Sequence, residues 1–230
     1  MGINKISDKA LVLLSGGQDS TTALFWAKEN FKEIYTISFY YGQRHSIELE
    51  SVKKIVEIAN VENKIIDISF LKDLTTSALL KDEDIKINPH NNLPTSFVPG
   101  RNMLFLSIAA SYAYDKGIRD LVIGVSQVDY SGYPDCRDDF IRSMERTISY
   151  AMDTKFRIHA PLIYMSKKDE VLYMESIGKL DVLAFTHTCY KGVFPPCGEC
   201  PACKLRAGGF KEAGIEDPIY KRIRGEKLNI

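Results

Sequence analysis

The chain has 230 residues, 45% of them hydrophobic and 26% charged, which suits one domain with a substantial core. Thirty basic and thirty acidic residues cancel, which argues against docking on long nucleic acid and for a small-molecule substrate. No apolar run reaches membrane-spanning length, and the first residues, with Asn4, Lys5, Asp8 and Lys9, lack the apolar core of a signal peptide, so a cytoplasmic protein with no membrane partner is expected.

The run 10–14 is short and apolar, as in a buried parallel strand, and 21–28 carries Ala23, Leu24 and Ala27 at helical spacing. Between them lie Leu13, Leu14, Ser15, Gly16, Gly17, Gln18, Asp19, Ser20, Thr21 and Thr22. A strand, a glycine turn and a helix in that order aim backbone N–H groups and a helix N-terminus at one spot, with hydroxyls as added donors. The reading is a phosphate cradle. It has no Gly-Lys-Ser/Thr ending, and Asp19 stands in the loop. A carboxylate beside phosphates is repulsive unless a cation intervenes, so Asp19 is read as a Mg²⁺ partner. A glycine turn capped by Ser20, with no ligand, is the plain alternative.

A second strand is expected over 34–39, followed by Tyr41-Gly42-Gln43-Arg44-His45 and a helix over 46–59. Arg44 suits a phosphate or carboxylate contact; His45 reads equally as a helix-start residue. A third strand is expected over 64–68. The stretch 69–96 has weak periodicity and reads as either a lid or a disordered loop. Val98-Pro99-Gly100-Arg101-Asn102 then opens a helix over 103–116, placing Arg101 at an anion-facing N-terminus. A fourth strand over 121–125 leads to Asp129-Tyr130-Ser131-Gly132-Tyr133-Pro134-Asp135-Cys136-Arg137. Tyr133 can stack on a planar ring, Asp135 can accept two hydrogen bonds from a guanine-like edge (Asp129 being the reserve), and Arg137 can grip a carboxylate. An amphipathic helix over 138–152, an extended piece near His159, a helix capped by Ser166 with Lys167 in its first turn, and a last strand over 182–185 complete the order. Lys167 sets a cation against the helix dipole and is a candidate for phosphate; a solvated lysine is the alternative.

Four of the five cysteines, Cys189, Cys197, Cys200 and Cys203, are separated by seven, two and two residues. Such gaps let thiolates wrap one ion, and four thiolates make a closed tetrahedral Zn²⁺ site that is structural, with no position left for water. Redox-active pairs and an iron–sulfur cluster are the alternatives. Cys136 stands apart as a free thiol, and a helix is expected over 204–213.

The glycine loop resembles that of the ATP pyrophosphatase superfamily, whose members cleave ATP between its α and β phosphates. Taken with Tyr-Gly-Gln-Arg-His at 41–45, Val-Pro-Gly-Arg-Asn at 98–102, Ser-Gly-Tyr-Pro-Asp-Cys-Arg at 131–137 and the four cysteines, the chain resembles the 7-cyano-7-deazaguanine synthase family of queuosine biosynthesis over residues 13 to about 218. Two departures are Thr188, where serine is usual, and Ala23, where cysteine is frequent. The resemblance implies an α/β fold with a mostly parallel doubly wound sheet, an ATP pyrophosphatase domain at 1–185 and a zinc-binding segment at 186–230. It implies a carbon–nitrogen ligase that uses ATP, 7-carboxy-7-deazaguanine and ammonia, releases AMP and diphosphate, and forms a homodimer. The expected catalytic set is Asp19, Arg101 and Lys167, the ATP contacts are residues 13–23, and the substrate contacts are Tyr133, Asp135, Arg137, Arg44 and His45. Three other readings share parts of this pattern: a tRNA-modifying enzyme, which would need a basic RNA-binding domain; an amidating synthetase of the GMP or NAD type, which would need neither the 131–137 loop nor zinc; and a nucleic-acid-binding knuckle, for which the charges around the cysteines are too mixed.

Overall fold

The structure, a computed structural model, describes residues 5–42, 47–75, 77, 86–90, 92–128 and 133–230. The chain order is β1 (Ser7–Leu13), α1 (Gln18–Asn30), β2 (Phe31–Tyr40), α2 (Ile47–Ala59), β3 (Glu62–Asp67), α3 (Leu71–Leu74), α4 (Arg101–Asp115), β4 (Asp120–Ile123), α5 (Asp138–Ala151), β5 (Arg157–His159), α6 (Lys167–Ser176), α7 (Pro201–Ala213) and α8 (Pro218–Ile223). Among the described residues all four strand pairs are parallel, and the sheet order is β3-β2-β1-β4-β5. The chain therefore walks outward from β1 in one direction and, from β4, in the other. The crevice between β1 and β4 is the switch point, and a ligand is expected beyond the carboxyl ends of those strands.

Alternation along β1 assigns the two faces. Leu11 and Leu13 join a core with Ile37, Leu106, Ala109, Ala110, Ala113, Ile141, Met144 and Ile148, from β2, α4 and α5. Ala10, Val12 and Leu14 join the opposite core with Leu24, Phe25, Val52, Ile55, Val171, Met174 and Phe210, from α1, α2, α6 and α7. A strand covered on both faces must be apolar at every position, which is why β1 reads as a continuous run. The run of Ala109, Ala110 and Ala113 leaves α4 with a flat face that lies close to the sheet. Truncating a fully buried core residue such as Leu106 should cost about 2–5 kcal/mol.

At the amino-terminal rim, Asp120 is buried and carries a dense set of partners. Arg157 donates from Nε and Nη2, both at 2.6 Å, Ser7 Oγ donates at 2.8 Å, and His159 Nε2 lies 2.7 Å away. Trp26 and Phe31 flank the His159 ring. This network ties β1, β4 and β5 together at the end remote from the switch point.

One expected strand is not a strand. Residues 182–185 lie in a 3-10 helix, Leu180–Phe185, and the sheet ends at β5. Four apolar residues fit a buried helix turn as well as a strand. Here the backbone carbonyls are served by side chains: Arg206 Nη2 donates to Leu183 O at 2.8 Å and Arg222 Nη1 to Ala184 O at 3.2 Å. Arg206 also donates to both Asp217 carboxylate oxygens, at 2.6 and 2.8 Å, anchoring the chain beyond α7 against the domain.

A candidate nucleotide and substrate site beside a four-cysteine cluster

The glycine loop lies at the switch point. Gly16 is held at φ +83°, and a Cβ there would come within 2.6 Å of the Glu48 carbonyl oxygen on α2. Gly124, just past β4, would place a Cβ 2.6 Å from the Asp19 carbonyl oxygen, so β4 presses directly against the start of α1. No side chain caps α1; its N-terminal donors are open toward the loop, the arrangement that binds anions. The hydroxyls divide by role. Thr21 and Thr22 are fully buried and donate back to the Gly17 and Gln18 carbonyls at 2.8 and 3.0 Å. Ser20 Oγ braces the loop, accepting from the Ser15 N–H at 3.1 Å and donating to Gly17 O at 3.2 Å. Ser15 is exposed. Leu13, Leu14 and Ala23 are core residues beneath the loop. Gln18 is buried, with no hydrogen-bond partner among the described residues for either end of its amide.

Asp19 and Lys167, 148 residues apart, meet here: Lys167 Nζ donates to Asp19 Oδ1 at 2.6 Å and to Glu170 Oε1 at 2.8 Å. Lys167 is 8% exposed and Glu170 fully buried. The expected Ser166 cap is present as a capping box with Asp169, which fixes the first turn of α6 and so the root of Lys167.

A second cluster surrounds Arg101. Gly100 takes the left-handed conformation at φ 71° before α4. The Arg101 guanidinium meets the Tyr41 hydroxyl, and Tyr133, Asp135 and Cys136 face it. Burial works against the guanidinium charge, but Tyr41, Asp135 and Cys136 outweigh it and hold the pKa above the ordinary arginine range. Tyr133 donates to or accepts from Ser96 Oγ at 2.6 Å, with Phe97 beside its ring. Asp135 sits in the 3-10 turn Pro134–Cys136, where its Oδ2 accepts the Asn102 backbone N–H at 3.1 Å. A carboxylate of the chain itself thus lies at the N-terminus of α4. Asp135 Oδ1 and Arg101 Nε are buried and have no hydrogen-bond partner among the described residues. Cys136 is buried, and desolvation followed by the Asp135 charge pushes its thiol up to about 12, so it is an inert thiol. Arg137, the next residue, is exposed. Arg44, His45 and Asp129 lie outside the described residues.

Cys189, Cys197, Cys200 and Cys203 come together with their sulfurs all within 4.8 Å of one another. Cys197 and Cys203 Sγ are 3.8 Å apart; tetrahedral zinc with bonds of about 2.3 Å would need roughly 3.8 Å. Backbone N–H groups of Cys197, Cys200 and Cys203 point at the sulfurs of Cys189, Cys197 and Cys200, at 3.4–3.5 Å. At Cys197 burial opposes the thiolate, but N–H donation from Cys200 and Glu199 prevails and draws the thiol down to about 6. The set can hold a metal ion such as zinc. The cluster is joined to the glycine loop: His187 N–H donates to Gly16 O at 2.9 Å, two residues before the first cysteine. Tyr190, next to that cysteine, approaches Tyr133 and Arg101.

Glu170, Tyr190 and His187 were not singled out from the sequence. Glu170 alone had a signal there, being one helical turn from Lys167. An open cleft bounded by Lys28, Tyr35, Asn60 and Glu62 lies at the opposite rim and contains none of these groups.

Residues 9–214 match the family model described as "Queuosine biosynthesis protein QueC". Similar proteins include the 7-cyano-7-deazaguanine synthases of Laribacter hongkongensis, 48% identical over 95% of this chain and 96% of that one, and of Bacillus subtilis, 45% identical over 96% and 98%. The enzyme of that name from Bacteroides fragilis is 49% identical over 95% and 99%. Among solved structures, a 4-thiouridine synthetase in complex with RNA and ATP shares the fold, with TM-score 0.53, 18% identity, and coverage of 95% of this chain and 50% of that one.

Proposed function

The chain belongs to the QueC family of queuosine biosynthesis proteins, and on that premise we propose that it converts 7-carboxy-7-deazaguanine and ammonia to 7-cyano-7-deazaguanine at the expense of ATP. A carboxylate oxygen is a poor leaving group. Transfer of AMP to it gives an acyl-adenylate and releases diphosphate; ammonia then displaces AMP, leaving an amide. A second ATP adenylates the amide oxygen, and loss of AMP and a proton leaves the nitrile. Each step needs in-line positioning and cancellation of charge developing on diphosphate.

The observation that carries this reading is the Lys167–Asp19 pair at the open N-terminus of α1, in the crevice between β1 and β4. The backbone of 15–18 and Ser15 receive the phosphates of ATP, with 13–23 as the nucleotide loop. Lys167 turns to the departing diphosphate. Asp19 is then free to hold Mg²⁺, which would neutralise phosphate charge. Arg101 grips the substrate carboxylate, Tyr133 covers the deazaguanine, and Asp135 Oδ1 accepts from its guanine-like edge; Arg137, Arg44 and His45 complete the substrate set. Cys189, Cys197, Cys200 and Cys203 hold one structural zinc within the segment 186–230, against the catalytic domain 1–185. Ammonia enters free, the protein acts in the cytoplasm as a homodimer, and it does not contact nucleic acid directly. AMP release should depend on 7-carboxy-7-deazaguanine and should not respond to tRNA or xanthosine phosphate; release stimulated by either of the latter would refute the assignment.

A further inference from the structure

The packing of α7 on α6 has an unusually close point at the residue assigned to ATP. A Cβ on Gly209 would lie 2.5 Å from Lys167 Cβ, 2.9 Å from its carbonyl carbon and 3.0 Å from its carbonyl oxygen. The backbone of α7 therefore rests directly on Lys167, and only glycine permits that seat. The next residue, Phe210, is buried in the core shared with α1 and α6, and α7 opens on the cluster, with Cys200 as its N-cap and Cys203 in its first turn. From the other side Lys167 is held by Asp19 and Glu170.

We propose that Gly209 is a positioning residue: it seats the metal-cluster helix against the main chain of Lys167 and thereby fixes where the Lys167 ammonium points. The proposal rests on the reading of Lys167 as a phosphate-binding group. It makes the four-cysteine cluster, through α7, part of the support for the nucleotide site as well as a staple for the C-terminal segment. Gly208, next along the helix, supplies the control, because a Cβ there meets nothing within 4 Å. Alanine is also the better helix former at both positions, so a loss confined to position 209 cannot come from propensity.

The experiment measures kcat and KM for ATP in diphosphate release, with melting temperature and bound metal, for Gly209→Ala, Gly208→Ala, Lys167→Ala and the Gly209→Ala/Lys167→Ala double variant. Gly209→Ala should retain metal and fold, and lose kcat by about 10- to 100-fold, with KM changed by less than about threefold, as expected for misplacing one charged group by about an ångström. Gly208→Ala should match the parent. In the Lys167→Ala background, Gly209→Ala should add nothing beyond about twofold, since both changes act on one group. Full kcat in Gly209→Ala, or losses that multiply in the double variant, would overturn the proposal. If Gly209→Ala does not fold, Phe210→Leu loosens the same helix without a clash, and the same test of additivity applies. A normal kcat in Lys167→Ala would overturn both this proposal and the phosphate role of Lys167, whereas a large Lys167 effect beside an inert Gly209 would overturn this proposal alone.

Discussion

Asp135 Oδ2 accepts the backbone N–H of Asn102 at 3.1 Å, reaching across 33 residues to cap a helix that its own N-cap, Gly100, cannot cap. Asn102 Nδ2 returns a bond to the Asp135 carbonyl at 3.1 Å. One carboxylate oxygen is therefore committed to the fold, and only Oδ1 is left for a ligand.

This division separates two substitutions. Asp135→Ala removes the cap and should cost about 1–2 kcal/mol in urea unfolding. Asp135→Asn keeps an oxygen for the Asn102 N–H and should remain close to the parent in stability. It should nonetheless weaken 7-carboxy-7-deazaguanine by about 10- to 150-fold in calorimetry, the loss of a charged acceptor, with ATP binding unchanged. Equal weakening of both ligands would mean that the substitution disturbs the site as a whole.

The metal cluster gives a second expectation. Cys200→Ser should abolish stoichiometric metal and lower the melting temperature, because forming the site is coupled to folding the segment. Metal analysis of the purified parent should find one zinc per chain. Iron, or no metal, would contradict the structural-zinc assignment.

Cys136 should be dispensable for chemistry. Its thiol is buried, Asn102 Nδ2 lies 3.5 Å from the sulfur, and the pKa is pushed up to about 12. It is protonated at neutral pH and is a poor nucleophile. Cys136→Ser should keep turnover within about threefold of the parent. Loss of adenylation by orders of magnitude, with stability retained, would give the thiol a role that this geometry does not.

Asp120 should make stability depend on acid. Burial would raise its pKa, but hydrogen bonds from His159, Arg157 and Ser7 outweigh burial and hold it below the usual carboxylate range. A folded pKa below the unfolded value of about 3.9 contributes stability above that pH, and the contribution is lost as pH falls through the folded value. Asp120→Asn should thus cost about 2–4 kcal/mol at pH 7, discounted for the half-exposed Arg157, and the gap should narrow as pH falls below about 4 toward the depressed folded pKa. A gap that is constant with pH would assign the loss to packing.

Much of this architecture was legible in the chain. The strand, glycine turn and helix of 10–28 announced themselves because β1 is buried on both faces and α1 begins where Gly16 must turn. The cysteine spacing gave the cluster, since two-residue gaps leave few other geometries. The parallel sheet followed from alternating strands and helices. What was not legible depends on long-range contacts. Residues 182–185 look like a strand until Arg206 and Arg222 are seen serving their carbonyls. The Lys167–Asp19 pair and the Asp135 cap join elements more than 30 residues apart, and no local pattern encodes such a meeting. The hydroxyls of Thr21 and Thr22 read as donors to a ligand, but helical geometry returns them to the Gly17 and Gln18 carbonyls.

Asp19 meets Lys167 Nζ at 2.6 Å beside the glycine loop. Asp19→Asn should leave melting temperature close to the parent while lowering diphosphate release by at least about 100-fold. Unchanged diphosphate release would remove Asp19 from the mechanism.

The central claim is the two-stage conversion of an acid to a nitrile, and its most direct measurement is stoichiometry. Purified protein would be incubated with ATP, ammonium and 7-carboxy-7-deazaguanine, and AMP, diphosphate and 7-cyano-7-deazaguanine counted together by chromatography and mass spectrometry. Two AMP and two diphosphate are expected for each nitrile, with the amide appearing before it and all three products absent without the acid. One AMP per product with the reaction halted at the amide, or AMP released at the same rate without the acid, would contradict it.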